Sequence, residues 1–432
     1  MDKSNCTLIV LLISFSFLIR HGLAQSPVTF HFQQTVIPQY KPSFKAKYSG
    51  TNSLITTAET QTTLTSTLFV GARLWKGGEI YINPELSGGS GLSGAKGIAG
   101  FTNGEAFRIG DAAPVIYLAR GFLKQTFAIG QDTETQEEEA NQIAGQTPKK
   151  YLRLIVGKFC LADYFDANEF SHDPRTQFLN WALMSNGAWD YAANVRGYTV
   201  GYVVEYGTPS VSVRFGTSEV PTTANGPDLN TDLGKNYSHF LEIEKPFSFF
   251  KKQSTLRLLG FYTKTGMGNY TKAIQRSDVD ITETRQAGRT KVGFGINFES
   301  HTSDWAGYFL RFGWNDGRNE TWAFTEIDRS ASYGWSFTGK PFNRPDDHFG
   351  IAYVVNDLST PHRDYLAAGG YGFIIGDGKL NYGSERILEL FYNFQINQHF
   401  WLTPDCQFVK NPAYNRDRGA AIALSLRAHV EF

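Results

Sequence analysis

The C-terminal residues 420–432, AAIALSLRAHVEF, alternate strictly between two kinds of side chain. In an extended strand the apolar face would consist of Ala420, Ile422, Leu424, Leu426, Ala428, Val430 and Phe432. The opposite face would carry Ser425, Arg427, His429 and Glu431. A soluble sheet turns such an apolar face toward a core, whereas a membrane barrel turns it toward lipid and lines a lumen with the polar face. The terminal strand therefore restricts the chain to these two all-β architectures.

The same alternation recurs in residues 62–75, 291–300, 307–316 and 386–397. The charged residues on the polar faces of these segments are Arg73, Lys291, Glu299, Arg311 and Glu389. Removing 24 leader residues from the 432 leaves 408, which accommodates roughly 16 strands of about 10 residues with their connections. A sandwich of this length would need several domains, but no Pro/Ser-rich linker divides the chain. The pattern predicts an all-β, transmembrane antiparallel β-barrel of about 16 strands in a single domain, residues 25–432.

The N-terminal apolar run of residues 7–19 is too short to span a bilayer as a helix, and small residues follow it before Gln25. We interpret residues 1–24 as a signal peptide that is cleaved near Ala24, which predicts export. Long connections are expected at 84–112, 131–149, 161–190, 216–236, 265–289 and 357–385. They alternate with tight turns such as 206–210, as in barrels with short periplasmic turns and long extracellular loops. The candidates for a loop that enters the lumen are 84–112 and 161–190. Aromatic girdles at the membrane surfaces are expected from Trp75, Tyr81, Trp305, Trp314, Trp335 and Trp401.

Composition and motifs argue against several other functions. The chain carries 41 basic and 41 acidic residues, so net charge gives no support for a nucleic-acid partner. The GxGxxG match at Gly89, Gly91 and Gly94 is not followed by a helical pattern, and no zinc-ligand or GxSxG spacing is present. We predict no cofactor, no metal and no enzymatic activity. Cys160 and Cys406 could form a disulfide or stay as two buried thiols.

Two segments, 163–201 and 369–392, are rich in carboxylates, amides, arginines and aromatic rings. Planar polar groups pair with sugar hydroxyls and rings stack on sugar faces, so the mixture is typical of carbohydrate recognition. The alternative is that these side chains only brace loops against a barrel wall.

These segments also carry a resemblance to a known family. Residues 369–432 and 157–201, together with 30–54 and 77–108, resemble the carbohydrate-selective outer-membrane porins of the OprB family, so the resemblance covers almost the whole mature chain. Cys406 stands where an aromatic or small residue is more usual. The resemblance implies a 16-stranded barrel in a Gram-negative outer membrane that passes sugars by diffusion through a charged constriction. It also implies that outer-membrane lipid surrounds the barrel and that the assembly machinery recognises Phe432.

The sequence thus predicts a passive pore for mono- or small oligosaccharides. The predicted pore-lining residues are Arg73, Glu79, Asp166, Asn168, Asp173, Arg175, Asn180, Asp190, Asn194, Arg196, Arg311, Glu389 and Arg427. The alternatives are a general diffusion porin without sugar preference, an outer-membrane barrel enzyme such as a lipase, and a secreted all-β carbohydrate-binding protein. The identity of the sugar and the choice between monomer and trimer stay open.

Overall fold

The computed structural model describes residues 27–106 and 113–432, so the predicted signal peptide lies outside the described residues. Sixteen antiparallel strands close into a barrel, each bonded to its neighbours in chain order. The barrel strands are β1 (Val28–Lys41), β2 (Glu59–Trp75), β3 (Gly78–Gly89), β4 (Val115–Ala128), β7 (Tyr151–Phe159), β8 (Thr199–Thr208), β9 (Val211–Ser218), β12 (Tyr237–Phe249), β13 (Lys252–Thr265), β14 (Arg289–His301), β15 (Ala306–Asn315), β16 (Arg329–Gly339), β17 (Arg344–Asp357), β18 (Glu385–Asn397), β19 (Phe400–Lys410) and β20 (Ala420–Glu431).

Among the described residues, two small hairpins and three short α-helices lie in the connections. The hairpins pair β5 (Thr133–Gln136) with β6 (Gly145–Pro148), and β10 (Val220–Pro221) with β11 (Leu229–Asn230). The helices are Trp181–Met184, Tyr270–Ile274 and Thr360–Ala367. Within the described part of the chain, no helix is both long enough and apolar enough to cross a membrane.

The barrel closes where β20 pairs with β1. The backbone amide of Phe32 donates to the carbonyl of Phe432 at 3.0 Å, and the amide of Phe432 donates back to Phe32 at 2.9 Å. A closed barrel leaves no unpaired sheet edge, which is the condition for crossing a bilayer with strands.

The outer surface is apolar and the inner surface is polar, as the alternation predicts. On β20, Leu424 and Leu426 are 42% and 44% exposed, whereas Arg427 between the apolar positions is fully buried inside the barrel. The prediction that Tyr81 belongs to an aromatic girdle at the membrane surface is wrong. Its ring points inward, is fully buried and stacks on the ring of Phe122 at 5.1 Å. Its place in the strand pattern, not its residue type, determines which side of the wall it faces.

One end of the barrel carries long connections and the other carries mostly tight turns. The long connections are 42–58, 90–114, 160–198, 219–236, 266–288, 316–328, 358–384 and 411–419. Six connections at the opposite end have four residues or fewer, but the seventh, 129–150, is long and holds the β5/β6 hairpin. The expectation that 131–149 belongs with the other long loops is therefore wrong. Length alone does not assign a connection to an end, because the end depends on how many strands precede it.

The barrel interior is filled by loops that fold inward from the long-loop end. About two thirds of residues 160–198 and much of the described segment 90–106 are buried, as predicted for these two candidates. Parts of 316–328 and 358–384 are buried beside them. Their aromatic side chains form the core, with the rings of Trp181 and Phe324 stacked at 4.5 Å. The core of this molecule therefore lies inside the barrel.

Candidate functional site: a charged lumen narrowed by inward loops

Carboxylates on the inner wall hold the inward loops in place. Glu389 on β18 accepts hydrogen bonds from two successive backbone amides of the 160–198 loop, at 2.5 and 3.0 Å. Glu385, also on β18, accepts from two successive amides of residues 90–106, at 2.9 and 2.8 Å. Glu242 on β12 accepts a further amide of the 160–198 loop at 2.7 Å. Hydrogen bonds to charged groups contribute about 1.5–3 kcal/mol each, so these contacts make the loops fixed parts of the lumen.

Arg311 on β15 anchors the same loop from another side of the barrel. Its Nε donates to Oδ1 of Asp166 at 3.1 Å, and its two terminal nitrogens donate to the carbonyls of Leu183 at 2.6 Å and Ser171 at 3.0 Å. Asp166 has a φ of 58°, a left-handed conformation that is costly for a residue with a side chain and persists where its surroundings enforce it. The guanidinium thus ties three separate points of the loop together.

A β-bulge at Ala119 places two functional side chains on the inner face of β4. Asn83 of β3 pairs with Arg120, and the next residue, Pro84, pairs with Leu118, so Ala119 has no partner. Because the extra residue shifts the alternation by one, Tyr117 and Arg120 both point inward. Their side chains contact inward-facing residues of β3 and the 160–198 loop.

These residues belong to a group of charged side chains, here called the upper cluster, that forms where the 160–198 loop lies against β3 and β4. Its members are Glu85, Glu105, Tyr117, Arg120, Asp163, Arg175, Arg196 and Tyr198. Three acidic and three basic side chains are present, so the formal charges cancel.

Arg120 and Asp163 form a two-pronged ion pair in the upper cluster. Nε and Nη2 of Arg120 donate to the two carboxylate oxygens of Asp163 at 2.7 and 2.6 Å. The guanidinium also lies over the ring of Tyr198, 5.3 Å from its centroid. Bidentate pairing and ring contact fix the plane of the guanidinium, so its free N–H groups have a defined direction.

Arg175 joins the two remaining acidic residues. It donates to Glu85 at 3.2 Å and to Glu105 at 3.1 Å. Burial lowers the pKa of Arg175, but Glu105 and Glu85 outweigh that effect and hold the pKa well above its ordinary value. Tyr198 donates to Glu85 at 3.0 Å, and Tyr117 donates to the same carboxylate. Glu85 is therefore the hub of the cluster.

Arg196 completes the cluster by lying over an aromatic ring. Its guanidinium is 4.4 Å from the centroid of the Tyr117 ring, and Nη1 donates to Ser87 at 3.2 Å. The upper cluster therefore combines oriented donors, carboxylate acceptors and aromatic faces, the groups that bind a solute bearing many hydroxyls.

A second layer of charge, the charged belt, crosses six neighbouring strands nearer the short-turn end. Its members are Arg153 (β7), Glu205 (β8), Arg214 (β9), Glu242 and Glu244 (β12), Arg257 (β13) and Glu299 (β14). Every consecutive ion pair in the belt has an N to O distance of 2.9 or 3.0 Å. Most pairs are directly opposite in the strand register, as in Arg153 with Glu205 and Glu205 with Arg214. The belt is thus built from cross-strand pairs.

A smaller charged group, formed by Arg73 (β2), Glu79 (β3) and Lys124 (β4), extends the second layer toward the short-turn end. Glu79 accepts from Lys124 at 2.6 Å and lies 3.9 Å from Arg73. Glu79 is six residues from Glu85 along β3, about 20 Å of strand. The lumen therefore has two charged layers rather than one.

The β5/β6 hairpin folds against this second layer from the short-turn end. Its Glu138 accepts a hydrogen bond from Thr29 at 2.5 Å and lies 3.3 Å from His31, both on the inner face of β1. The carbonyl of Ala144 accepts from Arg73 at 3.2 Å. The hairpin therefore lies along the inner wall from β2 to β1 and occupies part of the mouth of the barrel.

Most of the sequence-predicted site residues are buried where loop and wall meet. These are Asp166, Asn168, Asn180, Asp190, Asn194, Arg311, Glu389 and Arg427. Arg427, for example, donates to the carbonyls of Pro174 and Gln177, both at 2.7 Å. Burial raises the pKa of Asp190, opposed by Lys291 at 3.5 Å and by backbone amides. Their contacts are those of bracing residues, and solute contact by them stays a prediction.

The structure places the other predicted residues closer to open lumen. Arg175 and Arg196 belong to the upper cluster, and Asp173 accepts the amide of Arg175 at 2.9 Å beside it. Arg73 and Glu79 belong to the smaller charged group that extends the second layer over β2 to β4. Glu85, Glu105, Tyr117, Arg120 and most of the charged belt were not predicted from the sequence. Asp163 falls in the polar segment 163–201 but was not among the predicted pore-lining residues. The alternation in β7, β8 and β9 marks its charged residues as inward, but only the register shows that they meet.

The open question of a disulfide is answered directly. Cys160 and Cys406 are both free thiols. Across residues 27–106 and 113–432, no group of three or more His, Cys, Asp or Glu could hold a metal ion.

A closed antiparallel barrel with an apolar outer surface and a charged lumen narrowed by its own loops defines the class of outer-membrane porins. The family model described as "Carbohydrate-selective porin, OprB family" matches residues 51–432. The chain belongs to this family, and its outer-membrane location follows from that membership.

Solved structures support the fold. The chain is similar to the high-pH structure of Pseudomonas putida OprB, with a TM-score of 0.70 and 16% identity over 94% of each chain. It is also similar to the outer membrane channel DcaP of Acinetobacter baumannii, with a TM-score of 0.50 and 9% identity over 94% of this chain and 97% of that chain. No curated protein sequence matches this chain.

Proposed function

We propose that this porin passes small sugars by passive diffusion and that the upper cluster is its selective constriction. The observation that carries the proposal is the combination, at one place in the lumen, of three arginines, three carboxylates and two tyrosine rings. Arg has five N–H donors and a carboxylate accepts at about four positions, so these paired groups can still bind hydroxyls. A sugar can therefore exchange water for protein contacts without breaking the ion pairs.

The charge balance of the cluster favours uncharged solutes. Its three acidic and three basic groups leave no net field to attract an ion of either sign. A neutral, hydroxyl-rich molecule instead meets donors and acceptors side by side within the upper cluster. Arg73 and Glu79, with the charged belt, would bind it again before it leaves, as successive weak sites do in diffusion channels.

Liposome swelling with the protein purified from membranes tests the proposal. Monosaccharides, oligosaccharides and amino acids of similar size are compared, and monosaccharides are expected to enter fastest. Equal entry of sugars and amino acids would make the protein a general diffusion porin, and no entry at all would contradict the channel itself.

A ring substitution sharpens the test. Tyr117→Leu removes the ring beneath Arg196 and the hydrogen bond to Glu85, and it is expected to slow sugar entry severalfold, since stacking contacts are worth about 1 kcal/mol. The matched control is Tyr353→Leu, which removes an exposed ring from the lipid face of β17. Equal rates for the two variants would remove Tyr117 from the sugar path.

We also propose that residues 1–24 direct export with cleavage near Ala24, and that Phe432 is the assembly signal. The terminal residue pairs with Phe32 and stacks on His399 at 4.8 Å, so it forms part of the seam that closes the barrel. Phe432→Ala is expected to lower the amount of heat-modifiable barrel in membranes, whereas the lipid-facing control Phe408→Ala keeps it. Equal amounts for both variants would contradict a signal at Phe432.

A further inference from the structure

The outer surface of the barrel carries a basic cleft at the long-loop end of β18 and β19. This rim cleft has a volume of about 470 Å³ and is lined by Gly383, Ser384, Arg386, Lys410, Asn411 and Arg416. Three of the six lining residues are cationic and none is acidic. The cleft lies outside the lumen and has no part in the proposed sugar path.

Two of the cations face each other across neighbouring strands. Arg386 of β18 pairs directly with Lys410 of β19, and both side chains are exposed on the outer face. Like charges directly opposite in an antiparallel pair have Cβ atoms about 5 Å apart and destabilise the sheet. Such a pair is expected where an anion between the two charges offsets the repulsion.

The third cation is brought to the cleft by the loop 411–419. An added Cβ at Gly383 would lie 2.7 Å from Nε and 2.9 Å from Cγ of Arg416, so the absence of a side chain at Gly383 leaves the space that Arg416 occupies. The neighbouring acid does not neutralise it, because Asp417 accepts from Lys47 at 2.7 Å and from Asn381 at 3.0 Å. In the described part of the chain, the charged ends of Arg386, Lys410 and Arg416 have no acidic partner within ion-pair distance.

The rim cleft lies just beyond the apolar band of the outer surface. Leu388 lies two positions after Arg386 and Phe408 two positions before Lys410, so both lie on the same outward faces, about 7 Å toward the barrel centre. Long loops of such barrels are extracellular, so this end lies in the outer leaflet. The three cations are therefore at the height of the lipid headgroups.

We propose that the rim cleft binds the phosphate groups of an outer-leaflet lipid headgroup. Guanidinium groups match phosphate geometry and Lys adds a compact charge, so two arginines and one lysine around a cleft suit a phosphorylated headgroup. The apolar strands below the cleft would hold the acyl chains of the same molecule. A soluble phosphate would gain only the first of these contacts.

Binding of lipid A, a diphosphorylated glycolipid, to the full protein in mixed micelles tests the inference. A cation near an anionic membrane surface changes affinity about fivefold, so the triple variant Arg386→Gln, Lys410→Gln, Arg416→Gln is expected to bind roughly 100-fold more weakly. The matched control Arg329→Gln removes an exposed cation from the corresponding end of β16 and is expected to keep wild-type affinity. Wild-type affinity in the triple variant would overturn the proposal.

Three further measurements keep the test decisive. Arg416→Gln alone, in a loop rather than a strand, is expected to weaken binding about fivefold if the triple variant does not fold. Lys410→Arg keeps the charge and is expected to keep the affinity. Inorganic phosphate tested alone is expected to bind far more weakly than lipid A; equal affinity would assign the cleft to free phosphate and overturn the lipid assignment.

Discussion

The Arg120 and Asp163 pair allows a prediction with opposite signs for its two halves. Arg120→Gln removes a positive charge from a balanced upper cluster and leaves it with one net negative charge. Asp163→Asn leaves it with one net positive charge. Both side chains reach water in part, so neither change strands an isolated charge in an apolar interior.

The size of the effect follows from Coulomb's law. An unbalanced unit charge about 5 Å from a passing monovalent ion changes the energy of that ion by about 0.8 kcal/mol at the dielectric constant of water. This corresponds to about a fourfold change in the permeation of that ion, with the opposite change for its counter-ion. Arg120→Gln should therefore raise the ratio of potassium to chloride permeability by about 16-fold, and Asp163→Asn should lower it by a similar factor.

Reversal potentials across planar bilayers under a potassium chloride gradient measure the ratio. The double variant restores neutrality and should return the ratio to the wild-type value, while Arg329→Gln on the outer surface should leave it unchanged. Shifts in the same direction for both single variants, or no shift in either, would show that these residues do not line the constriction.

Three other changes test different parts of the structure. Deleting residues 137–142 from the tip of the β5/β6 hairpin should raise single-channel conductance, and so should Arg73→Ala, which removes a contact that holds the hairpin. Both variants should keep the normal heat-dependent gel shift of a folded barrel. Unchanged conductance in both variants would show that the hairpin lies outside the conduction path. Arg311→Ala breaks a buried ion pair and should destabilise the packing of the 160–198 loop by about 3–5 kcal/mol. The loss should be detected as increased current noise and faster proteolysis of the loop. Unchanged noise and unchanged protease resistance would contradict the role of Arg311 as an anchor of the loop. Burial raises the pKa of Asp328, but His362 at 3.0 Å outweighs it and lowers the pKa to about 2 from 3.8. Because the folded-state pKa of Asp328 is depressed, its carboxylate stabilises the loops by roughly 2 kcal/mol above about pH 4, and this contribution is lost as the pH falls toward 2. Protease resistance should therefore fall in this window in the wild type, whereas Asp328→Asn should show a lower, flat profile.

The sequence could predict which side of the wall most strand residues face. Alternation has a period of two and is local, so Leu424 and Arg427 are assigned to opposite faces without knowledge of any other strand. It fails where the period is interrupted. The bulge at Ala119 moves Arg120 onto the inner face, and no pattern in residues 115–128 marks that position.

Contacts between strands lie beyond what alternation can predict. Arg153, Glu205 and Arg214 meet only because the register pairs them, and register depends on turn lengths and bulges around the barrel. Residue type was also a poor guide to role in the inward loop. Asn180 and Arg175 are both polar and lie five residues apart, yet Asn180 is fully buried between wall and loop whereas Arg175 belongs to the upper cluster. The path of the loop backbone decides which of its side chains reach the lumen.

The paired charges of the lumen explain how one pore can be both polar and selective for neutral solutes. Unpaired arginines at the constriction would collect anions, and unpaired carboxylates would collect cations, so ions would compete with sugars for the site. Pairing each charge with its opposite removes the net field but keeps the hydrogen-bonding capacity of both groups. The carboxylates that clamp backbone amides of the inward loops, such as Glu385 and Glu389, then hold these pairs at fixed separation. On this argument, selectivity should depend more on keeping each pair complete than on any single residue, so removing one charge should harm sugar preference more than removing both partners together.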